Sequence, residues 1–500
     1  MNPNAEPPSF RRLAYALLIT IAAGIVAARI VSVARLSDPG LYRAENHPED
    51  TLHNPWARTR PEPMPTHGDN DRSRWDTVRA LLDNGTYVIG HRDTEPGSKK
   101  YTDSGIITED GWKTIDKVLR PDTQDFYSSK PPFLATIVAG EYWLLKKCFG
   151  WSITENRFEV VRTILLTFNW LPLLIYLFLL SRLLEMYGTT DWGRLYVVAA
   201  AAFGTLLTVF ANTFNNHCIA TYAALFALYP AMRIWSAGER GIGLFMAAGF
   251  FAAFTAACEM PAASFAVQLF LVLLVRAPGR TLLFFLPAAA VPIAAFLWTN
   301  YLAVGQLRPA YGEFGGPWYE YEGSHWQISP GEVKHGIDWA FQVEGQAGYA
   351  FNLLLGHHGV LSLSPIFLLA IPGMLYGVAG IFRRSRETVR PARLSGLGVV
   401  AIMTLILSVV VISFYIFGVN PRNRNYGGWT NGLRWLMWLT PFWLLTMLPV
   451  VDWLAGRRWG RACACLLLFV SVLSANYREW TPWRHPWLYD LLEWRGMIPY

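Results

Sequence analysis

The stretch "YSSKPPFLATIVAGEYWLL", residues 127–145, decides how the chain is laid out. Two prolines open an apolar helical run, Lys130 stands immediately before them, and Lys146 and Lys147 close it. If the run crosses a membrane, every later loop changes sides. The rest of the sequence chooses between the two layouts.

The 500 residues are 53% hydrophobic and only 16% charged, the composition of a polytopic membrane protein. Runs of about 17–25 apolar residues, each long enough to cross hydrocarbon, recur along the chain. The first covers Leu13–Val33, behind Arg11 and Arg12. It exceeds the apolar core of a cleaved signal and reads as an uncleaved anchor with its N-terminus inside. Others fall near 159–182, 192–211, 216–233, 241–258, 261–276, 281–302, 359–382, 395–418, 434–455 and 460–475. Twenty-two Trp and twenty-two Tyr suit many interfacial crossings. The five cysteines form no C-x-x-C pair and read as core packing. No basic run points to nucleic acid.

If the 131–148 run does not cross, the inside loops are 183–194, 233–240, 276–280, 383–394 and 456–461, all short and arginine-bearing. If it crosses, all five face outward, against the positive-inside rule. Five loops outweigh Lys146 and Lys147, so the run is expected to be juxtamembrane or re-entrant. The expected fold is an all-α polytopic membrane protein, a bundle of about 11 (range ~11–13) transmembrane helices with external juxtamembrane helices and loops. The expected divisions are an anchor at 1–35, a first external loop at 36–158, a core bundle at 159–302, a second external loop at 303–358, C-terminal helices at 359–475 and an external tail at 476–500.

The polar motifs then collect on the external face. In "GDNDRSRWDTVRALLDNGTY", residues 68–87, Trp75, Val78, Leu81 and Leu82 share one helical face, as in an amphipathic helix lying in the interface and ended by Asn84-Gly85. Asp71 at its start reads as a helix cap or as a functional acid. Lys130 reads as an interfacial lysine on a proline-started helix or as a fixed cation for a lipid phosphate. Asn216 and His217 lie in the tight turn "NTFNNHCIA", 212–220, and Glu259 in the turn "CEMP"; such groups at membrane depth need partners. His357 and His358 are adjacent, so they point to different helix faces. In "NRNYGGWTNGLRW", 423–435, three glycines allow close backbone approach, and Arg434 offers a planar fork that suits a phosphate. Tyr311, Trp318, Tyr319, Tyr321 and Trp326 in the second loop suit either sugar stacking or interfacial anchoring.

Taken together, "DRSRW" at 71–75, "SKPP" at 129–132 and the Gly-Gly…Arg motif at 427–434 resemble membrane glycosyltransferases of the GT-C fold, in the branch of aminoarabinose transferases and protein O-mannosyltransferases. Arg72 stands where that family has a second acid, Ser129 where a Glu often precedes the Lys, and Asn216-His217 where an acid is usual. The resemblance implies a polyprenyl-phosphate sugar donor within the lipid and transfer to an acceptor (lipid, glycan or protein) at the external face of an inner or plasma membrane. It implies Asp71 as catalytic base or metal ligand, and Lys130, Arg434, His217 and Arg74 as the phosphate-binding set. Glu259, His357, His358 and Asn216 are further candidates for a metal or substrate. A divalent ion (Mg, Mn or Zn) is left open, and a lone carboxylate points to inversion. The alternative is a transporter or flippase for a lipid-linked or polar solute.

Overall fold

The structure, a computed structural model, describes residues 8–36, 62–94, 100–387, 395–477 and 480–500. The Pro- and Arg-rich start of the first polar stretch (37–61), and Arg390 and Arg393 of the basic 383–394 turn, lie outside the described residues.

The chain is mostly helical. Among the described residues, eight helices are long and apolar enough to cross a membrane: α1 (Ser9–Ser32), Arg157–Tyr187, Asp191–Phe210, Asn216–Ser236, Pro278–Val304, Gly396–Gly418, Arg434–Ala455 and Arg458–Asn476. Three shorter apolar helices, Ile242–Cys258, Met260–Arg276 and Pro365–Gly380, occupy the other expected segments. At about 1.5 Å per residue, the 17-residue pieces reach ~25 Å, short of the ~30 Å core. The Asn216–Ser236 helix is central and almost wholly enclosed, whereas Pro278–Val304 shows much of its apolar surface.

The basic turns among the described residues meet at one end of this bundle. Arg11 grips Glu185 through Nε (2.9 Å) and Nη2 (2.8 Å), and Tyr15 donates to the same carboxylate at 2.6 Å. Asp452 accepts from the backbone of Thr189 and Thr190 at 2.8 and 3.0 Å, and Tyr187 meets Ser236 at 2.7 Å. Ser236 closes the helix that His217 helps to open. Twenty-one residues put His217 about 30 Å away, at the opposite end.

That opposite end carries α2 (Asp69–Asp83), α3 (Pro132–Phe149) and a four-stranded antiparallel sheet that the all-helical expectation did not include. The strands β1 (Gly90–Thr94), β2 (Tyr101–Ser104), β3 (Lys117–Leu119) and β4 (Asp125–Ser128) lie in the order β2-β1-β4-β3, with Gly90 opposite Phe126 and Val118 opposite Tyr127. They are three to five residues long, too short to show a clear alternating pattern.

α2 departs from the expected interfacial helix: both its apolar residues (Trp75, Val78) and its polar ones (Asp71, Arg72, Arg74, Asp76) are buried. Local partners make this tolerable, since Arg72 pairs with Asp69 at 3.4 Å and Arg74 donates to Asn70 O at 2.8 Å. The expected Asn84-Gly85 terminus is present, with Gly85 at φ +67°. α3 is not among the eight long apolar helices. It lies beside α2, tied at one end where Ser73 Oγ meets Ser128 Oγ (2.6 Å) and at the other where Lys146 Nζ meets Asp83 (3.1 Å).

The second polar stretch folds over the sheet. Leu119 N donates to Trp318 O (3.0 Å), and Arg92 Nη1 donates to Glu322 O (2.8 Å). Tyr319 is buried with Val118, Tyr127 and Val304, and Tyr321 packs edge-on against Phe126. Tyr319 therefore serves a small satellite core and Tyr321 the main core, in place of either expected role; Tyr311 stays exposed.

Candidate functional site

Five segments far apart in sequence converge at the end opposite the basic turns: the start of α2, the residues leading into α3, the 212–217 and 258–259 turns, and the 423–434 loop. Asp71 is the hinge of this assembly and is 1% exposed. Its Oδ2 accepts from His67 N (2.9 Å), the residue before the N-cap Gly68. Its Oδ1 accepts from Trp75 Nε1 (3.0 Å) and from Phe214 N (2.8 Å), which ties α2 to the 212–217 turn. Burial raises this carboxyl to about 6, and the three donors hold it down from going higher.

Arg74, one turn along, donates to Asn216 Oδ1, and Asn216 Nδ2 donates on to Cys258 O (3.0 Å) and Glu259 Oε1 (2.6 Å). The same Oε1 faces His217 Nδ1. His217 Nε2 accepts from Arg434 Nε at 3.0 Å. A guanidinium can only donate, so Nε2 is unprotonated, and the proton of a neutral imidazole lies on Nδ1 against Glu259. Glu259 Oε2 has no hydrogen-bond partner among the described residues. Burial pushes this carboxyl up to about 8, against the pull of Arg434 and Arg74.

Arg434 also donates through Nη1 to Gly427 O and lies over the Trp483 ring at 4.9 Å. Gly427, at φ +89°, leaves room for this: a Cβ there would stand 2.8 Å from Arg434 Nη1. Lys130 Nζ donates to Asp116 Oδ1 at 2.7 Å, with 20% of its side chain exposed. Burial works to raise the Asp116 carboxyl, but the charges of Lys130, Arg434 and Arg74 outweigh it and hold the group below its ordinary value. One carboxylate thus sits within electrostatic reach of all three cations.

The structure therefore brings together seven of the residues singled out in the sequence: Asp71, Arg74, Lys130, Asn216, His217, Glu259 and Arg434. Asp116 was missed; it lies in an irregular stretch with no motif, and its role exists only through the distant Lys130. His357 and His358 lie apart, in a cluster of rings. Their Nδ1 atoms meet at 2.6 Å, Tyr500 OH meets His357 Nε2 at 2.6 Å, and His358 stacks on Tyr426. Burial depresses both imidazoles, His357 to about 3. They pack neutral and dock the C-terminal tail.

The donor set does not fit a divalent ion. His217 presents Nε2 to a guanidinium, both oxygens of Asp71 are engaged by N–H donors, and Asp116 faces an ammonium. Among the described residues no three His, Cys, Asp or Glu side chains gather as ligands.

No family model and no curated protein matches the chain. Among solved structures, the archaeal oligosaccharyltransferase AglB from Archaeoglobus fulgidus, in complex with an inhibitory peptide and a dolichol-phosphate, is similar over 98% of this chain at 12% identity, with a TM-score of 0.44. The chain spans 59% of that protein's length. At that score the likeness fixes neither fold nor function.

Proposed function

We propose that this chain is a membrane glycosyltransferase of the GT-C type, moving a sugar from a polyprenyl-phosphate donor to an acceptor. One observation carries the reading: Lys130 is paired with Asp116, on which Arg434 and Arg74 also act, beside a Glu259–His217 pair, at the end of an apolar bundle away from its basic turns. The positive-inside rule puts that end outside. The sequence resemblance supplies the reaction class.

Each residue then has a task. Lys130 and Arg434 receive the donor phosphate, with Arg74 behind them; Lys130 Nζ and Arg434 Nη2 still have N–H groups to offer. The N-terminus of the Asn216–Ser236 helix adds a favourable field for an anion. An acceptor hydroxyl attacks the anomeric carbon, and the bond from that carbon to the phosphate oxygen breaks. The electron pair goes to the phosphate, where preorganised cations meet the growing charge. The hydroxyl proton passes to Glu259 Oε2. No second carboxylate attacks the sugar, so the configuration inverts. Asp71, expected as the base, has both oxygens committed to N–H donors and becomes the positioning residue that locks α2 to the 212–217 turn.

Purified full-length protein in detergent, given a panel of polyprenyl-phosphate sugars, should release lipid phosphate from at least one of them. Lys130→Met and Arg434→Gln should each lower the rate by about 10²-fold or more. Absence of release from every donor would refute the reading.

A further inference from the structure

The 423–434 loop that carries Arg434 has a second face, and the C-terminal tail runs along it. Asn431 N donates to Pro482 O at 2.8 Å, and Trp483 covers Arg434. The residues that follow turn away and, with Trp429, line a cavity of about 240 Å³. Its wall is aromatic: His485 stacks on Tyr489 with centroids 3.9 Å apart, and Trp429 lies 4.6 Å from His485. His485 and Tyr489 are buried by this stacking, whereas Trp429 remains 51% exposed, with Arg484 over its ring at 6.0 Å. Its rim is charged, with Arg484, Asp490 and Glu493 around the opening.

We propose that this cavity binds a saccharide and is the acceptor subsite of the transferase, a role that rests on the function proposed above. A pyranose has flat C–H faces and an edge of hydroxyls. Aromatic rings take the first, and carboxylate and guanidinium groups take the second. The volume lies just below the roughly 300–1,000 Å³ of pockets for drug-sized ligands, which suits one or two sugar rings. Three charged side chains do not suit a lipid chain. An extended peptide would need a row of free backbone groups, whereas Tyr489, Asp490 and Glu493 of the lining stand on the Trp487–Trp494 helix, whose backbone bonds are internal. The cavity is linked to the reacting end through single intervening residues. Trp483, next to Arg484, touches Arg434, and a Cβ on Gly428 would come within 2.9 Å of Asp338, beside cavity-lining Ile337.

The test uses the full chain in detergent with maltotetraose, cellotetraose and a β-linked mannotetraose, read by quenching of tryptophan fluorescence and by saturation-transfer NMR. At least one tetrasaccharide should bind below about 10 mM. Trp429→Leu and Glu493→Gln should each weaken binding by about tenfold at unchanged thermal stability. Trp459→Leu, at an exposed tryptophan within the basic 456–461 turn, should leave binding intact. No binding to wild type, or equal binding by both cavity variants, would overturn the proposal. Saccharide binding without cleavage of any donor would keep the cavity as a saccharide site and overturn its acceptor role together with the transferase reading.

Discussion

Replacing Glu259 by Gln removes one proton-accepting oxygen and little else. The carboxamide keeps its volume, and its oxygen can still accept from Asn216 Nδ2, now at 2.6 Å. The local frame should therefore stand, and the loss should fall on turnover. Proton acceptance by a positioned side chain contributes about 10²–10⁴-fold, so kcat should drop by that factor with KM for the donor nearly unchanged. The pH profile sharpens this. Burial raises the Glu259 carboxyl from 4.5 to about 8, and a base works only when ionised. In the wild type kcat/KM should climb with pH up to about 8, falling about tenfold per pH unit below it. Lipid-phosphate release, measured from pH 5 to 9, reads both effects. An acid limb near 6, where Asp71 titrates, would return the base to Asp71, and near-wild-type turnover in Glu259→Gln would remove Glu259 from the chemistry. The same group acts on stability in the opposite direction. Between 4.5 and about 8 the folded chain holds a proton that the unfolded chain has lost, so this residue's contribution to stability is full at low pH and is lost as pH rises through that window. In Glu259→Gln that part of the slope should vanish.

Asp71→Asn should lower thermal stability and activity together, because the carboxamide nitrogen opposes one of three N–H donors; the cost of a group left unsatisfied is about 1–3 kcal/mol, readable as a melting shift in detergent. Lys130→Met should raise donor KM and also leave Asp116 without its 2.7 Å partner; adding Asp116→Asn should recover stability but not donor affinity, a split that calorimetry and kinetics separate. Gly373→Val should reduce the folded yield, since any Cβ at 373 collides with the carbonyl of Thr446 on the neighbouring helix; size-exclusion chromatography checks it. Arg434→Lys should lose more activity than a retained charge implies, because Nε holds His217 at 3.0 Å while Nη1 holds the Gly427 carbonyl, and one ammonium cannot do both.

What could be read from sequence was set by range. The apolar runs are local, and so are helix ends such as Asn84-Gly85 and the Gly427 approach that Arg434 needs; these announce themselves within a few residues. The sheet does not, because its strands of three to five residues are defined by pairing alone. The polar side of α2 looked solvent-facing, since a sequence shows the charge of Arg72 or Asp76 but not the enclosing chain. Asp116 had no local signal at all, and the aromatic second loop suited sugar stacking and interfacial anchoring equally, whereas Tyr319 and Tyr321 are core.

The roles of Asp71 and Glu259 show why a motif identifies a place more readily than a task. Both are acids near the same cations, and a short motif cannot rank them. What separates them is the number of donors each already serves: three N–H groups on Asp71, and a free Oε2 on Glu259. A carboxylate saturated by protein donors gives up basicity and gains fixity; one left half-satisfied in a buried turn keeps its affinity for a proton. Asp71 holds the α2 turn against the helix that begins at Asn216, and Glu259 meets that same helix through Asn216 and His217. In the proposed mechanism the first acid thus sets the geometry in which the second can act, and moving either task to the other residue would require a different set of N–H donors around 67, 75 and 214.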